Sequence, residues 1–192
     1  MRYTRGLRNW LVIVPGCLLL LCAGGCRAEK GKTVHEAAAP TLKVTSTAFE
    51  NGANIPPQYT CDGKNISPEL KLEGIPAATK SLALIVDDQD APTGTFVHWI
   101  WFNIPPEKNE LPEGMPQRTK LDDGSVQGMN DFDQTGYGGP CPPGGKSHRY
   151  HFRVRALDTT LDAKAGKSKI AMLSAMDGHI LASGELMGRY QK

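Results

Sequence analysis

The alternation of apolar and polar positions predicts β-strands through the body of the chain. Successive side chains of a strand point to opposite faces, so every second residue shares one environment. Residues 149–157 alternate cleanly, with apolar residues at even positions and basic residues at odd positions. Residues 81–88 are apolar on both faces, which is typical of a central strand. Two further strands are predicted at 42–49 and at 96–104, the latter rich in aromatic and β-branched residues.

Clusters of proline and glycine separate these strands and indicate turns and loops. Near the C-terminal end, the spacing of Ile170, Leu173 and Met176 predicts a short helix over 168–176. A second small helix is expected over 179–190. The number of strands and the turn residues together predict a mainly β fold, an antiparallel β-sandwich with small C-terminal helices.

The first segment has the pattern of an export signal. Three arginines precede a short apolar run at 10–22, which is well short of the roughly 20 apolar residues that span a bilayer. The sequence Ala23-Gly24-Gly25-Cys26 resembles the bacterial lipobox, in which the cysteine is acylated and the chain is cut before it. We therefore predict a lipoprotein-type signal peptide at 1–25 and lipidation of Cys26. The alternative is ordinary signal cleavage, with Cys26 as an incidental thiol.

Residues 26–40 are charged and rich in alanine, with Val34 as the only larger aliphatic residue, and this composition predicts a flexible tether. The folded domain is then expected at 41–192. Acyl chains on Cys26 would attach the protein to a membrane, which makes the membrane a partner. The lipobox implies a location in the bacterial cell envelope, facing the periplasm. The same resemblance implies the outer membrane, because the residue after the cysteine is Arg27.

The charge balance excludes a typical nucleic-acid partner. The 192 residues contain 22 Lys and Arg against 20 Asp and Glu, a formal net charge of +2. Cleavage before Cys26 would remove three arginines and no acidic residue, which changes the net charge to −1. A chain so close to neutrality has no broad basic surface for a phosphate backbone. The sequence also lacks a P-loop and the Gly-x-Ser-x-Gly motif of serine hydrolases, and no cofactor is expected.

Polar side chains fall on apolar faces near the ends of three predicted strands. Asp88 and Asp90 continue the parity of the apolar even positions before them. His98 has the parity of the other even-numbered residues of its strand, and His148 has the parity of Tyr150. Burying such groups without partners costs about 1–3 kcal/mol each. They are therefore expected to meet one another, water or a ligand at one end of the sandwich.

An ordinary structural role is the alternative for each of these residues. A single inward histidine such as His98 is often a hydrogen-bonded core residue, whereas five such groups favour a pocket. Asp87 has the opposite parity and is expected to be solvated or in a turn. No role is assigned to His35, His151 or His179.

A loop rich in glycine and proline, residues 136–147, leads directly into the last predicted strand. Glycine allows close approach of the backbone to a ligand, proline limits the flexibility of the loop, and backbone N–H groups can bind an anion. A purely structural turn would explain the glycines but not the inward His148 and Tyr150 beside them.

Several motifs resemble those of the phosphatidylethanolamine-binding protein family, in particular its bacterial Raf-kinase-inhibitor-like branch. The motifs at the predicted pocket are Asp88-Gln89-Asp90-Ala91-Pro92, His98-Trp99, Gly139-Pro140-Cys141-Pro142-Pro143-Gly144 and His148-Arg149-Tyr150. Further similar segments are Thr60-Cys61-Asp62-Gly63, Ile66-Ser67-Pro68-Glu69-Leu70 and Asn130-Asp131-Phe132. The resemblance covers about residues 41–190. It implies an antiparallel β-sandwich with C-terminal helices.

The resemblance also implies a small pocket for phosphate-like and other anionic groups. Gln89 departs from the proline that is usual at that position, and a cis peptide bond before Pro92 is implied. The ligand-binding residues expected in this chain are Asp88, Asp90, Pro92, His98, Gly139, His148 and Tyr150.

These residues predict a non-catalytic binding protein for an anionic small molecule or a phospholipid headgroup, one that modulates an envelope partner. In this hypothesis Asp88 and Asp90 orient the imidazoles and favour their protonated forms. The imidazoles of His98 and His148 and the hydroxyl of Tyr150 then donate to the anion. One alternative is a metal-dependent hydrolase that uses the histidines and aspartates, although no His-x-x-x-His spacing supports a metal site. Another is an inhibitor of a protease or kinase that acts through the glycine- and proline-rich loop.

The cysteines fit an exported protein. Cys17 and Cys22 would leave with the signal peptide and Cys26 would carry lipid, so Cys61 and Cys141 remain. An oxidising compartment permits a disulfide between them. Closing a loop of about 80 residues would contribute on the order of 4 kcal/mol in the chain-entropy model. Two separate buried thiols are the alternative.

Overall fold

The computed structural model describes residues 41–192, so the predicted signal peptide, Cys26 and the tether lie outside the described residues. The described chain forms two antiparallel sheets and one α-helix, with short 3-10 turns at Pro57–Tyr59 and Ala163–Lys167. The prediction of a mainly β, antiparallel fold is confirmed. The elements in chain order are β1 (Lys43–Thr45), β2 (Leu70–Glu73), β3 (Ser81–Asp88), β4 (Phe96–Ile104), β5 (Glu110–Leu111), β6 (Val126–Gln127), β7 (His148–Leu157), α1 (Lys169–Met176) and β8 (Ile180–Tyr190).

The larger sheet has the strand order β6-β4-β3-β7-β8, and the smaller sheet has the order β1-β2-β5. The predicted strands at 81–88 and 96–104 coincide with β3 and β4. All eight residues of β3 are buried, as their continuous apolar pattern requires of a central strand. The first strand is shorter than predicted, because only three residues of 42–49 pair with β2.

The main core lies between the two sheets, and a second core lies on the other face of the larger sheet under α1. Burial of each large apolar side chain contributes about 1.5–3 kcal/mol, so the main core is the chief source of stability. Its largest members are Trp99, Trp101, Tyr137, Tyr150 and Phe152. The second core includes Ile85, Ile100, Phe102, Met172 and Met176.

The predicted helix over 168–176 is present as α1, with Ser168 accepting a hydrogen bond from the backbone of Ala171 at its N-cap. Its apolar face covers the second core through Met172 and Met176. None of the helices within residues 41–192 is both long and apolar enough to cross a membrane.

The prediction of a second C-terminal helix over 179–190 is wrong. This segment is β8, which pairs with β7 along the whole length of both strands. Two of its inward positions are glycines, which obscure the alternating pattern in the sequence. A Cβ atom on Gly184 would lie 2.3 Å from the carbonyl oxygen of Leu42, and one on Gly188 would lie 2.5 Å from Ile55 Cγ1. The close approach of these neighbours therefore requires glycine. Because glycine has a low β propensity, the strand could not be recognised from the sequence pattern.

Candidate functional site

A β-bulge in β4 determines where His98 points. Val86 pairs with Trp99 and Asp87 pairs with Val97, which leaves His98 as the extra residue. A bulge of this kind shifts the side-chain parity of its strand and redirects a side chain.

The ring of His98 consequently lies 5.2 Å, centroid to centroid, from the rings of Phe96 and Tyr150. Ile100 and Phe102 face the opposite core, under α1. The prediction that His98 shares a face with Ile100 and Phe102 is therefore wrong, because the bulge shifts the parity. Ile104 lies in the main core again, beyond a second register shift between β3 and β4.

The bulge places His98 at a cavity of about 230 Å³ at one end of the larger sheet. Strands β3, β4 and β7 contribute side chains to it, as do the turn at 91–93 and the loop at 141–143. The cavity is open to solvent, because Pro92 and Thr93 on the turn and Cys141 and Pro143 on the loop are exposed. Its lining residues are Asp88, Ala91, Pro92, Thr93, Phe96, His98, Phe132, Cys141, Pro142, Pro143 and His148.

Asp88 fixes the orientation of the His148 imidazole. The Nδ1 atom of His148 lies 2.7 Å from Oδ2 of Asp88, and the exposed fractions of the two side chains are only 7% and 4%. The other oxygen of Asp88 accepts a hydrogen bond of 2.8 Å from the backbone N–H of Asp90. Because Nδ1–H donates to the carboxylate, Nε2 is the nitrogen of His148 that remains for a ligand.

The His98 imidazole is held by a backbone carbonyl. Its Nδ1 atom lies 2.7 Å from the carbonyl oxygen of Gly138, so Nδ1 carries the proton and Nε2 remains for a ligand. Burial lowers the pKa of His98, and this effect outweighs the opposing effects of the Gly138 carbonyl and the Asp88 carboxylate. Asp88 thus favours the protonated ring of His98, as expected, but burial outweighs its effect in the ligand-free protein.

Asp90 does not line the cavity, and its expected inward orientation is wrong. Its carboxylate forms a two-pronged ion pair with Arg149, at 2.8 Å from Nε and 2.6 Å from Nη2, and it also accepts from the Arg149 backbone N–H. The hydrogen bonds from the Arg149 side chain lower the pKa of Asp90 to about 2. Strand β3 ends before Asp90, so parity within the strand does not extend to it. Asp90 thus ties the turn after β3 to the start of β7.

Tyr150 lies beneath the cavity and does not line it. The residue is fully buried on β7, and its hydroxyl has no hydrogen-bond partner within residues 41–192. Burial, and then the nearby Asp88 carboxylate, raise the pKa of Tyr150, which keeps the phenol protonated.

Gly139 positions the loop and does not line the cavity. Its backbone N–H donates to Oδ1 of Asn65 at 2.7 Å, and a Cβ atom there would lie 2.4 Å from the carbonyl oxygen of Tyr59. Beside it, a disulfide joins Cys61 to Cys141, and Cys141 lines the cavity. The loop is therefore fixed to the segment around Cys61 by both covalent and backbone contacts.

Pro92 lines the cavity on the turn after β3. The peptide bond before it is trans, so the cis bond implied by the family resemblance is wrong. Sequence reasoning about inward polar groups did not select Phe132, which also lines the cavity and is 37% exposed. Asn130 accepts a hydrogen bond from the Phe132 backbone and holds it there. The sequence feature that could have identified Phe132 is an aromatic residue directly after Asn130-Asp131, in a predicted turn.

Asp87 is fully buried, so the expectation that it is solvated is wrong. Its carboxylate oxygens each lie 2.5 Å from a cation, Nη1 of Arg153 on β7 and Nζ of Lys169 on α1. These partners are distant in sequence, which is why parity alone did not reveal them. His151, to which no role was assigned, bonds through Nδ1 to Glu185 at 2.9 Å.

The described residues do not bring a metal site together. Among residues 41–192, no group of three or more His, Cys, Asp or Glu side chains has a geometry that could hold a metal ion. Asp90 is paired with Arg149, and the two imidazoles are held by different acceptors. Both imidazoles line one open cavity, each with its Nδ1 atom held by a protein acceptor.

The fold and the site define a two-sheet β protein with a histidine-lined pocket at the end of its larger sheet. Residues 45–191 match the family model described as phosphatidylethanolamine-binding protein, and the chain belongs to that family. A UPF0098 protein of Pyrococcus horikoshii is 52% identical over 192 residues, covering 97% of this chain and 91% of the relative. One from Methanothermobacter thermautotrophicus is 51% identical over 151 residues, covering 79% of this chain and 99% of the relative.

Solved structures show the same fold. A phosphatidylethanolamine-binding protein homologue of Chlamydia trachomatis superimposes with a TM-score of 0.72 at 42% identity, covering 80% of this chain and 99% of that chain. Escherichia coli YbcL, described as a member of the mammalian family, also gives a TM-score of 0.72, at 35% identity, covering 79% of this chain and 98% of that chain.

Proposed function

We propose that this chain is a non-catalytic binding protein that holds a phosphate-like anion, free or as a phospholipid headgroup, between His98 and His148. The observation that carries the proposal is that two imidazoles from different strands line one open cavity. Each imidazole uses Nδ1 for a protein acceptor, Gly138 or Asp88, and so has Nε2 left for a ligand.

Anion binding at these nitrogens takes up protons. A neutral imidazole with Nδ1–H has a lone pair on Nε2, and only the protonated ring donates from both nitrogens. The carboxylate of Asp88 stabilises positive charge on His148. At His98 the burial that disfavours the charged ring is offset when an anion enters beside it. The buried hydroxyl of Tyr150 supplies a further donor if the ligand reaches it.

The cavity also has an apolar wall that suits the uncharged part of a ligand. Phe96 and Phe132 pack edge to face at 4.7 Å on one side, and Pro142 and Pro143 line the other part of the cavity. Small-molecule sites combine such apolar walls with a few polar groups that fix orientation. A phosphate ester, which has both a charged and an uncharged part, fits a cavity with polar groups and an apolar wall better than a fully hydrated ion does.

The groups around the cavity favour binding over catalysis. The only sulfur in the lining belongs to Cys141, which is bonded to Cys61 and is not a nucleophile. Among the described lining residues, the only hydroxyl is that of Thr93, which lies on an exposed turn. The family relatives are named as binding-protein homologues or as UPF0098 proteins, and their names describe no reaction.

We also propose that the chain is exported and lipid-anchored through Cys26 in a bacterial envelope. The charged start, the short apolar run and the small residues before Cys26 support this proposal. Labelling of cells with an alkyne-tagged fatty acid would show incorporation into the wild-type chain and none into Cys26→Ser. Equal labelling of the two chains would contradict it.

The anion site is tested by titrating sulfate or phosphate into the full chain, kept soluble in a non-ionic detergent, by calorimetry. His148→Gln is expected to weaken binding about tenfold or more, because a charge-assisted donor is lost. His179→Gln is the matched control, because His179 is half-exposed and pairs with Asp158 away from the cavity. Equal affinities in the two variants would contradict the proposal.

A further inference from the structure

A row of basic residues lies on the outer face of β7, on the side that faces α1. Arg149, His151, Arg153 and Arg155 occupy its odd positions. Arg149 pairs with Asp90, and His151 pairs with Glu185. Arg153 pairs with both Asp87 and Glu185. Arg155 forms no ion pair with any carboxylate of residues 41–192.

Arg155 is also partly withdrawn from water. The residue is half-buried, and its backbone neighbours on the adjacent strands are Ala83 and Ser183, neither of which carries a charge. Burial, and then the neighbouring Arg153 guanidinium, lower the pKa of Arg155, and together they outweigh the opposing effects of the Asp87 and Glu185 carboxylates. A guanidinium in such surroundings is destabilised unless an anion compensates it.

The side chain of Arg155 borders a cavity of about 320 Å³ on the outer face of the larger sheet. Arg153 and Lys169 line the same cavity, and Asp87 is the one carboxylate in its wall. Gln89 adds an amide, and the exposed Leu173 of α1 adds an apolar edge. Three cations thus surround one carboxylate. If the nearby Glu185 is counted as well, the three positive charges face two negative charges, so the cluster has a net charge of +1 when His151 is neutral.

We propose that this cavity is a second anion site, separate from the histidine pocket, in which the Arg155 guanidinium binds a terminal phosphate group. Asp87 holds Arg153 and Lys169 in place at 2.5 Å each, so both cations are positioned before a ligand arrives. The guanidinium of Arg155 presents a planar fork of donors that matches two oxygens of a phosphate group.

The geometry favours a phosphate group over a planar carboxylate. The donors come from three different elements: β7 through Arg155, α1 through Lys169, and the turn after β3 through Gln89. A tetrahedral anion accepts hydrogen bonds from several directions at once, whereas a carboxylate accepts them in one plane. The phosphate group is either free or part of a lipid headgroup, and Leu173 and Ile170, 42% and 81% exposed, would adjoin the apolar part of a lipid.

The test measures phosphate binding in a background that carries both His98→Gln and His148→Gln, which removes the two imidazoles of the first pocket. The full chain in non-ionic detergent is dialysed against radiolabelled inorganic phosphate, and a second arm uses mixed micelles with and without phosphatidate. We expect saturable binding of one phosphate, weakened about tenfold or more by Arg155→Met. Arg155→Lys keeps the charge but loses the fork, and an intermediate loss is expected. Tighter binding to the phosphatidate micelles would identify a lipid headgroup as the ligand. Equal or tighter binding of inorganic phosphate would identify a soluble phosphate.

Arg189→Gln is the matched control, because Arg189 lies on the same face of the larger sheet, is exposed and lines neither this cavity nor the first. It removes the same charge and is expected to change the affinity less than about twofold. Without phosphate, Arg155→Met should melt at a higher temperature than its parent, because an uncompensated cation is gone, and phosphate should no longer raise that temperature.

Absence of saturable binding in the background without His98 and His148, or equal losses in the Arg155 and Arg189 variants, would overturn the second site. Neither result bears on the histidine pocket, which is tested by the His148 and His179 comparison in the parent chain.

Discussion

The carboxylate of Asp88 and the imidazole of His148 are joined by a hydrogen bond of 2.7 Å, and both side chains are almost fully buried. The bond fixes the imidazole at the wall of the cavity and leaves its second nitrogen for a ligand. The Asp88 carboxylate therefore compensates any positive charge that develops on His148 when an anion binds. Asp88 acts as a positioning residue, and its own oxygens face protein groups.

Asp88→Asn tests this arrangement. The amide keeps the shape of the side chain but removes the charge that stabilises an imidazolium, so we expect anion affinity to fall about tenfold. Calorimetric titration with sulfate at a pH near 6 measures the change. Asp158→Asn serves as the control, because Asp158 pairs with the exposed His179. An Asp88→Asn chain that binds sulfate like the control would rule out the compensating role.

Asp90 contributes to the acid stability of the fold through Arg149. Its pKa is lowered to about 2 in the folded chain by the Arg149 hydrogen bonds, from an ordinary value of 3.8. Because the folded-state pKa is depressed, this contribution is present above about pH 4 and is lost as the pH falls toward 2. We expect Asp90→Asn to destabilise the chain at neutral pH and to have progressively less effect below pH 4, as measured by urea unfolding. A destabilisation that does not depend on pH would contradict the assignment.

Gly139 and Gly144 belong to one loop but differ in their surroundings. A Cβ atom on Gly139 would lie 2.4 Å from the Tyr59 carbonyl oxygen and 2.6 Å from Asn65 Oδ1, whereas one on Gly144 would have no neighbour within 4 Å. We expect Gly139→Ala to lower the free energy of unfolding by about 1–3 kcal/mol because the loop must shift. Gly144→Ala should change it by less than about 0.5 kcal/mol. Similar stabilities for the two variants would show that the loop is not packed as described.

The disulfide between Cys61 and Cys141 connects stability to the anion pocket. Replacing both cysteines with alanine removes a cross-link with a sequence separation of 80 residues, and we expect a loss of about 4 kcal/mol in the chain-entropy model. Because Cys141 lines the cavity, sulfate affinity should also decrease. Urea unfolding and calorimetry measure the two effects, and mass spectrometry of unreduced digests detects the linked peptide. Recovery of separate Cys61 and Cys141 peptides, both alkylated before reduction, would contradict the bond.

Local patterns predicted the centre of the fold well. The bounds of β3 and β4 followed from their apolar and aromatic runs, because a central strand must be apolar on both faces. The strand β8 was missed because Gly184 and Gly188 occupy inward positions where only the close approach of Leu42 and Ile55 explains a glycine. Such an approach is a tertiary fact with no local signal.

The candidate site shows the same division. The histidines were selected because inward polar groups need partners, and the structure places both of them at one cavity. The bulge at His98 depends on how β4 pairs with β3, which parity within one strand cannot reveal. The burial of Asp87 depends on Lys169, which is 82 residues away, and the outward turn of Asp90 depends on Arg149. Long-range ion pairs decided both orientations.

The most direct test of the central claim is the pH dependence of sulfate binding, since sulfate keeps its charge over the range in which histidine titrates. The anion-bound protein holds more protons on His98 and His148 than the free protein, so affinity should rise as the pH falls from about 8 to 5. Because burial lowers the pKa of His98, the rise should continue below the ordinary imidazole value of 6.5. In a His98→Gln and His148→Gln double variant the dependence should vanish. An affinity that stays flat or decreases on acidification of the unsubstituted chain would contradict the account.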